Sequence, residues 1–83
     1  MMQARIVLVN RQRGMYAAEM TGTEYVIFEL MDSEAPELGD IVSHPDFYSM
    51  GSETFHNISQ GYRFDVYVQN VCGASQVKQQ CFL

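Results

Sequence analysis

Tryptophan is absent from this chain of 83 residues, and cysteine and proline occur only twice each. Two cysteines, Cys72 and Cys81, are too few for the disulfide framework of a small secreted domain, so both are expected to be free thiols, with a regulatory or intermolecular bridge as the lesser reading. Together with His44 and His56 they are the only soft ligands, and they show neither Cys-x-x-Cys nor short His-His spacing, so no metal is expected. No segment approaches the roughly eighteen consecutive apolar residues that a membrane-crossing helix needs. MMQARIVLVN carries Arg5 inside an apolar run too short for a secretory signal, which points to a cytoplasmic protein without a membrane partner. Cations are scarce as well: five Lys and Arg stand against ten Asp and Glu, giving a net charge of -5 and a field that repels polyanions. Nucleophile elbow, phosphate loop and dinucleotide glycine signature are all missing, so neither catalysis nor a cofactor is expected.

What the chain does have is apolar and strand-like. It is 47% apolar and 12% aromatic without low-complexity tracts, and its length suits one domain with one modest core. Ala4 to Asn10 is a β-branched run that reads as a strand buried on both faces. Met15 to Met20 reads as a second strand, Thr21 to Thr23 as a hairpin turn, and EYVIFELM, Glu24 to Met31, as the strongest strand in the chain. Asp32 to Asp40 is an acidic loop with room for one helical turn, and its clustered carboxylates are expected to serve solubility. Asp40 to Phe47 resumes as a strand in which Pro45 must take an edge or a bulge, since proline has no amide to donate. Ser49 to Ser52 is a turn, Glu53 to Ile58 a short strand, and Tyr62 to Val71 an alternating final strand. No window of helical period is present. Short strands with turns at such regular spacing indicate an all-β sandwich or small barrel, and closure into a barrel of five or six strands removes exposed edges most economically. The barrel is expected over residues 1–71, with 72–83 as a C-terminal extension that packs on it or is disordered.

The order IVLVN (Ile6 to Asn10), RGMYA (Arg13 to Ala17), TGTEYVIFEL (Thr21 to Leu30) and GDIV (Gly39 to Val42) resembles the cold-shock branch of the OB-fold. That family runs from a strand ending in Asn through a short turn, a glycine-aromatic strand, a second aromatic strand and a Gly-x-x-Val strand. The likeness extends in outline over residues 3–71 and implies an OB-like barrel. It also implies a non-catalytic module with weak affinity for single-stranded RNA or DNA, using Arg11, Arg13, Tyr16 and the loop aromatics Phe47 and Tyr48. The family's base-stacking positions, however, fall here on Leu8, Met15, Ala17, Ile27, Glu29 and Leu30, none of them aromatic. Losing three stacking contacts forfeits on the order of 3–9 kcal/mol, which two arginines do not restore.

An alternative follows from the same positions. Leu8, Met15 and Ile27 with Glu29 form an aliphatic face that must be covered by the tail through Phe82 and Leu83, by a second copy, or by a protein partner. The second reading is thus a protein-interaction or self-association module that no longer binds nucleic acid. By strand alternation Tyr16 and Phe28 share the parity of Ala18, Val26 and Leu30, which suits the barrel interior, although a bulge after Gly14 would turn Tyr16 outward. The aromatics of Ser43 to Asn57 serve either as plugs at the barrel ends or as a second binding surface.

Overall fold

The computed structural model describes residues 1–20 and 22–82, and side chains among them except those of positions 81 and 82. The chain forms β1 (Met2–Asn10), β2 (Met15–Glu19), β3 (Glu24–Leu30), β4 (Ile41–His44), β5 (Gly51–Asn57), β6 (Tyr62–Gly73) and α1 (Val77–Phe82). The strands close into a barrel in the order β1-β2-β3-β6-β5-β4. Every neighbouring pair is antiparallel, including the closing pair β1–β4. An even ring allows this, since strand direction must alternate around the whole circuit. The all-β barrel expected from the strand spacing is therefore the fold, with six strands.

Closure depends on the two longest strands each serving two neighbours. The first part of β1, Met2 to Arg5, pairs with β4, whereas Arg5 to Asn10 pairs with β2. A register shift between Ile6 and Leu8 bends the strand where it changes partners. In the same way β6 pairs with β5 over Tyr62 to Val68 and with β3 over Val66 to Gly73. Its sequence shows why it can: Phe64, Val66 and Val68 point into the core, while Arg63, Asp65 and Tyr67 alternate outward.

The barrel interior is aromatic at its centre. Tyr16 stacks on Phe28 with centroids 5.5 Å apart, and Phe28 meets the edge of Phe55 at 5.1 Å. Phe55 in turn makes T-shaped contacts with Phe47 at 5.0 Å and Phe64 at 6.0 Å, within the range where such pairs are favourable. Ala4, Ile6, Ala18, Val26 and Val42 fill the space around these rings.

β4 is too short to pair with the far half of β1, and the loop over residues 31–40 fills that gap. The Ile6 amide donates to the Asp40 carbonyl, and the Gly39 amide to the Ile6 carbonyl, both at 2.8 Å. The Asp40 carboxylate accepts hydrogen bonds from the Glu37 amide at 2.9 Å, Asn57 Nδ2 at 2.9 Å and Gln60 Nε2 at 2.7 Å. Partial burial pushes the Asp40 carboxyl upward, but these donors outweigh it and hold the group below the ordinary carboxylate range.

Several sequence expectations are corrected here. β1 is buried on one face only through Val7, because Gln3, Arg5 and Val7 face solvent. Pro45 lies just past the end of β4 and stops it, lacking the donor that continued pairing requires. Gly51 belongs to β5 and takes φ 92°, a conformation that permits the entry into the strand. The acidic loop contains no helical turn, and the hairpin turn expected at Thr21 to Thr23 lies partly outside the described residues.

Phe28→Ala should cost about 3–5 kcal/mol in urea unfolding, because it removes the ring that Tyr16, Phe55 and Phe64 all contact. The lowered Asp40 carboxyl contributes stability that is complete above its unfolded value of about 3.9 and is lost as pH falls through the lower folded value. Asp40→Asn should therefore flatten the acid limb of the stability profile, as measured by denaturant midpoints across that range.

Candidate interaction surfaces

Arg11, Gln12 and Arg13 form the exposed tip between β1 and β2. The turn is closed by the Gly14 amide donating to the Arg11 carbonyl at 3.3 Å, with Gly14 at φ 65°, where a side chain would be strained. Leu30 donates to the Gly14 carbonyl at 2.8 Å, anchoring the turn to β3. Neither arginine takes part in an ion pair among the described residues.

The aromatic residues expected beside this tip are elsewhere. Tyr16 is 2% exposed and stacked on Phe28, so no bulge turns it outward and it presents no ring to a base. Phe47 is fully buried against Phe55 and plugs the barrel. Both assignments to a nucleic-acid surface are corrected by the same cause: these rings are the largest apolar groups near an interior that needs filling. Tyr48 is 47% exposed, but its hydroxyl donates to Glu24 at 2.6 Å, a bond that raises the phenol's pKa. Tyr25 donates likewise to Glu19 at 3.0 Å, so both these tyrosines are tied to carboxylates that oppose a polyanion.

The aliphatic face exists, on the outer side of β2 and β3, but it is not open. Ala17, Ile27 and Cys72 form a second buried cluster outside the barrel, with Leu8, Met15 and Val77 packed around it. Ile27 is fully buried although it points away from the barrel interior. The covering element is α1, whose Val77 lies on the cluster. Cover by the side chains of Phe82 and Leu83 lies outside what the structure describes. Leu30 instead packs against the main core. Burial raises the Cys72 thiol, which lowers its thiolate fraction and its reactivity.

Beside α1 runs a groove of about 320 Å³ lined by Arg13, Met15, Glu29, Gln69 and Gln80. Glu29 accepts from Gln69 Nε2 at 3.4 Å, so one carboxylate, one guanidinium and two amides surround a methionine. Arg13, Met15 and Glu29 were legible as surface candidates. Gln69 and Gln80 were not, because they join the others only through the β3–β6 pairing and the placement of α1. Val77, the one apolar residue between Ser75 and Gln80, was the available sign of that helix.

At the opposite end of the barrel His44 Nδ1 accepts from the Asp46 amide at 3.0 Å while Nε2 lies 2.8 Å from Glu53. That pattern fixes the ring as a structural tie. Among the described residues no three His, Cys, Asp or Glu side chains come together as a metal site. No helix among them is long and apolar enough to cross a membrane.

Compared with known proteins, the chain matches no family model, no curated protein and no solved structure.

In a Cys81→Ser background, Cys72 should react slowly with a thiol reagent. Val77→Asp should accelerate that labelling by lifting α1, while an unchanged rate would show that α1 does not guard the cluster.

Proposed function

We propose that the protein is a non-catalytic binding module whose partner is a polypeptide segment, held in the groove between β2, β3, β6 and α1. The supporting observation is the groove's mixed polarity: Arg13 faces it together with Glu29, Gln69 and Gln80 around Met15. Amide side chains can satisfy the donors and acceptors of a peptide backbone, Arg13 suits a carboxylate on the segment, and Met15 adapts to an apolar residue. A phosphate backbone in the same place would approach Glu29 on a protein whose net charge is -5.

The second reading, weak single-stranded nucleic-acid binding by an OB-like, cold-shock-like barrel, is favoured by the exposed Arg11 and Arg13 at the β1–β2 tip, neither of them ion-paired among the described residues. Against it, the stacking contacts that supply about 1–3 kcal/mol per base find no aromatic side chain at Leu8, Met15, Ala17, Ile27, Glu29 or Leu30, and the exposed Tyr67, opposite Glu29 on β6, is a single ring.

An amide NMR titration with short RNA and DNA pools should leave residues 8–17 and 25–30 unshifted at low and moderate salt. Peptides selected on the immobilised protein from a displayed library should shift groove residues and weaken about tenfold on Arg13→Ala, the loss expected for a charge-assisted hydrogen bond. Salt-sensitive oligonucleotide shifts on that face would overturn this reading in favour of the second.

A further inference from the structure

The outer face of β4, β5 and β6 carries a different surface, far in chemistry from the groove beside α1. Ser43 pairs with His56 across β4–β5, and His56 pairs with Arg63 across β5–β6. Their inward neighbours Val42, Phe55 and Phe64 are core residues, so strand alternation sets all three on the outside. Side chains directly opposite one another on neighbouring strands stand about 4.5–5.5 Å apart at Cβ, so the row spans about 10 Å. A pocket of about 180 Å³ lies over it, lined by Met1, Ser43, Pro45, Thr54, His56 and Arg63.

The pocket's polar groups have an unusual balance for so acidic a chain. No carboxylate among the described residues lines it. The side chains of Ser43, His56 and Arg63 make no hydrogen bond or ion pair among the described residues. Asp65, the next outward residue of β6, has its Oδ1 engaged by the Thr54 hydroxyl at 2.9 Å. A hydroxyl, an imidazole and a guanidinium are thus left as donors without acceptors, on three adjacent strands of a closed barrel.

We propose that this pocket binds the phosphoryl group of a small phosphomonoester. A carboxylate is satisfied by one bidentate arginine, whereas a phosphoryl group presents several oxygens in three dimensions and can use donors arriving from three strands at once. Arg63 supplies the charge and the fork, His56 an N–H, and Ser43 a hydroxyl at the pocket floor, where it is 4% exposed. The strands are held in the barrel ladder, so these donors are positioned before the ligand arrives and little ordering is required. The site is separate from the groove and does not rest on the polypeptide reading.

The test is an amide NMR titration of the full chain with inorganic phosphate and with glycerol 3-phosphate, against sodium chloride and sodium acetate at matched ionic strength. Saturable shifts confined to the surroundings of residues 43, 54, 56 and 63 are expected for both phosphates. Arg63→Gln and His56→Asn should each weaken them, Arg63→Gln by about tenfold or more, as expected for a charge-assisted contact. Lys78→Gln, which removes the same charge from exposed α1, should leave binding unchanged. Equal binding of the two phosphates would mean that the phosphoryl group alone is read; tighter binding of the ester would mean that its organic part also touches the pocket wall. Shifts that fail to saturate, that acetate reproduces, or that survive in folded Arg63→Gln protein would overturn the proposal.

Discussion

Ring closure is the constraint on which the rest of this structure depends. Six strands joined antiparallel all the way round require β1 to leave β4 and join β2 within nine residues, and β6 to do the same between β5 and β3. The register shift at Ile6 to Leu8 is the local consequence. So is the polar knot of Asp40, Asn57 and Gln60, which satisfies backbone and side-chain groups just before β4 begins, where the ladder would otherwise stop. Unpaired backbone groups in a half-buried seam are costly, and a loop that supplies both donors and acceptors is the available remedy.

Closure also decides what the surface can be. Tyr16, Phe28, Phe47, Phe55 and Phe64 gather inside, leaving the outer face of β2 and β3 aliphatic. That face is too apolar to stand in water, and α1 lies across it. What remains accessible is its polar margin, the groove where Arg13 and Glu29 meet Gln69 and Gln80. Around the barrel, on β4, β5 and β6, the outer row of Ser43, His56 and Arg63 is left without acceptors among the described residues. The two proposed surfaces thus differ in physical character: one is mixed in charge and bordered by a short helix, the other donor-rich and set on paired strands.

Much of the fold was legible in the chain. Strand alternation placed Tyr16, Ala18, Val26 and Phe28 inside, and the structure has them there. The same parity argument would have removed Tyr16 from the nucleic-acid candidates, since a ring cannot both fill the core and stack a base. Phe47 was harder. It follows Pro45 in irregular chain, where no period tells which way a side chain turns, and only the packing against Phe55 and His44 decides it. α1 escaped notice because six residues make less than two turns, too little for a helical period to show.

By itself the sequence determined an all-β chain, its main strand and turn positions, an acidic balance and the non-aromatic character of Leu8, Met15, Ala17 and Ile27, because these follow from residue type and from period-two spacing along the backbone. Only the tertiary structure decided that the ring has six members, that Ala17 and Ile27 are buried from outside by α1, and that Arg13 stands with Gln69 and Gln80 while His56 stands between Ser43 and Arg63. These neighbours are distant in the chain. Their meeting is set by strand register and ring closure, long-range pairings in which each strand's place depends on all the others, and no local window of residues contains that information.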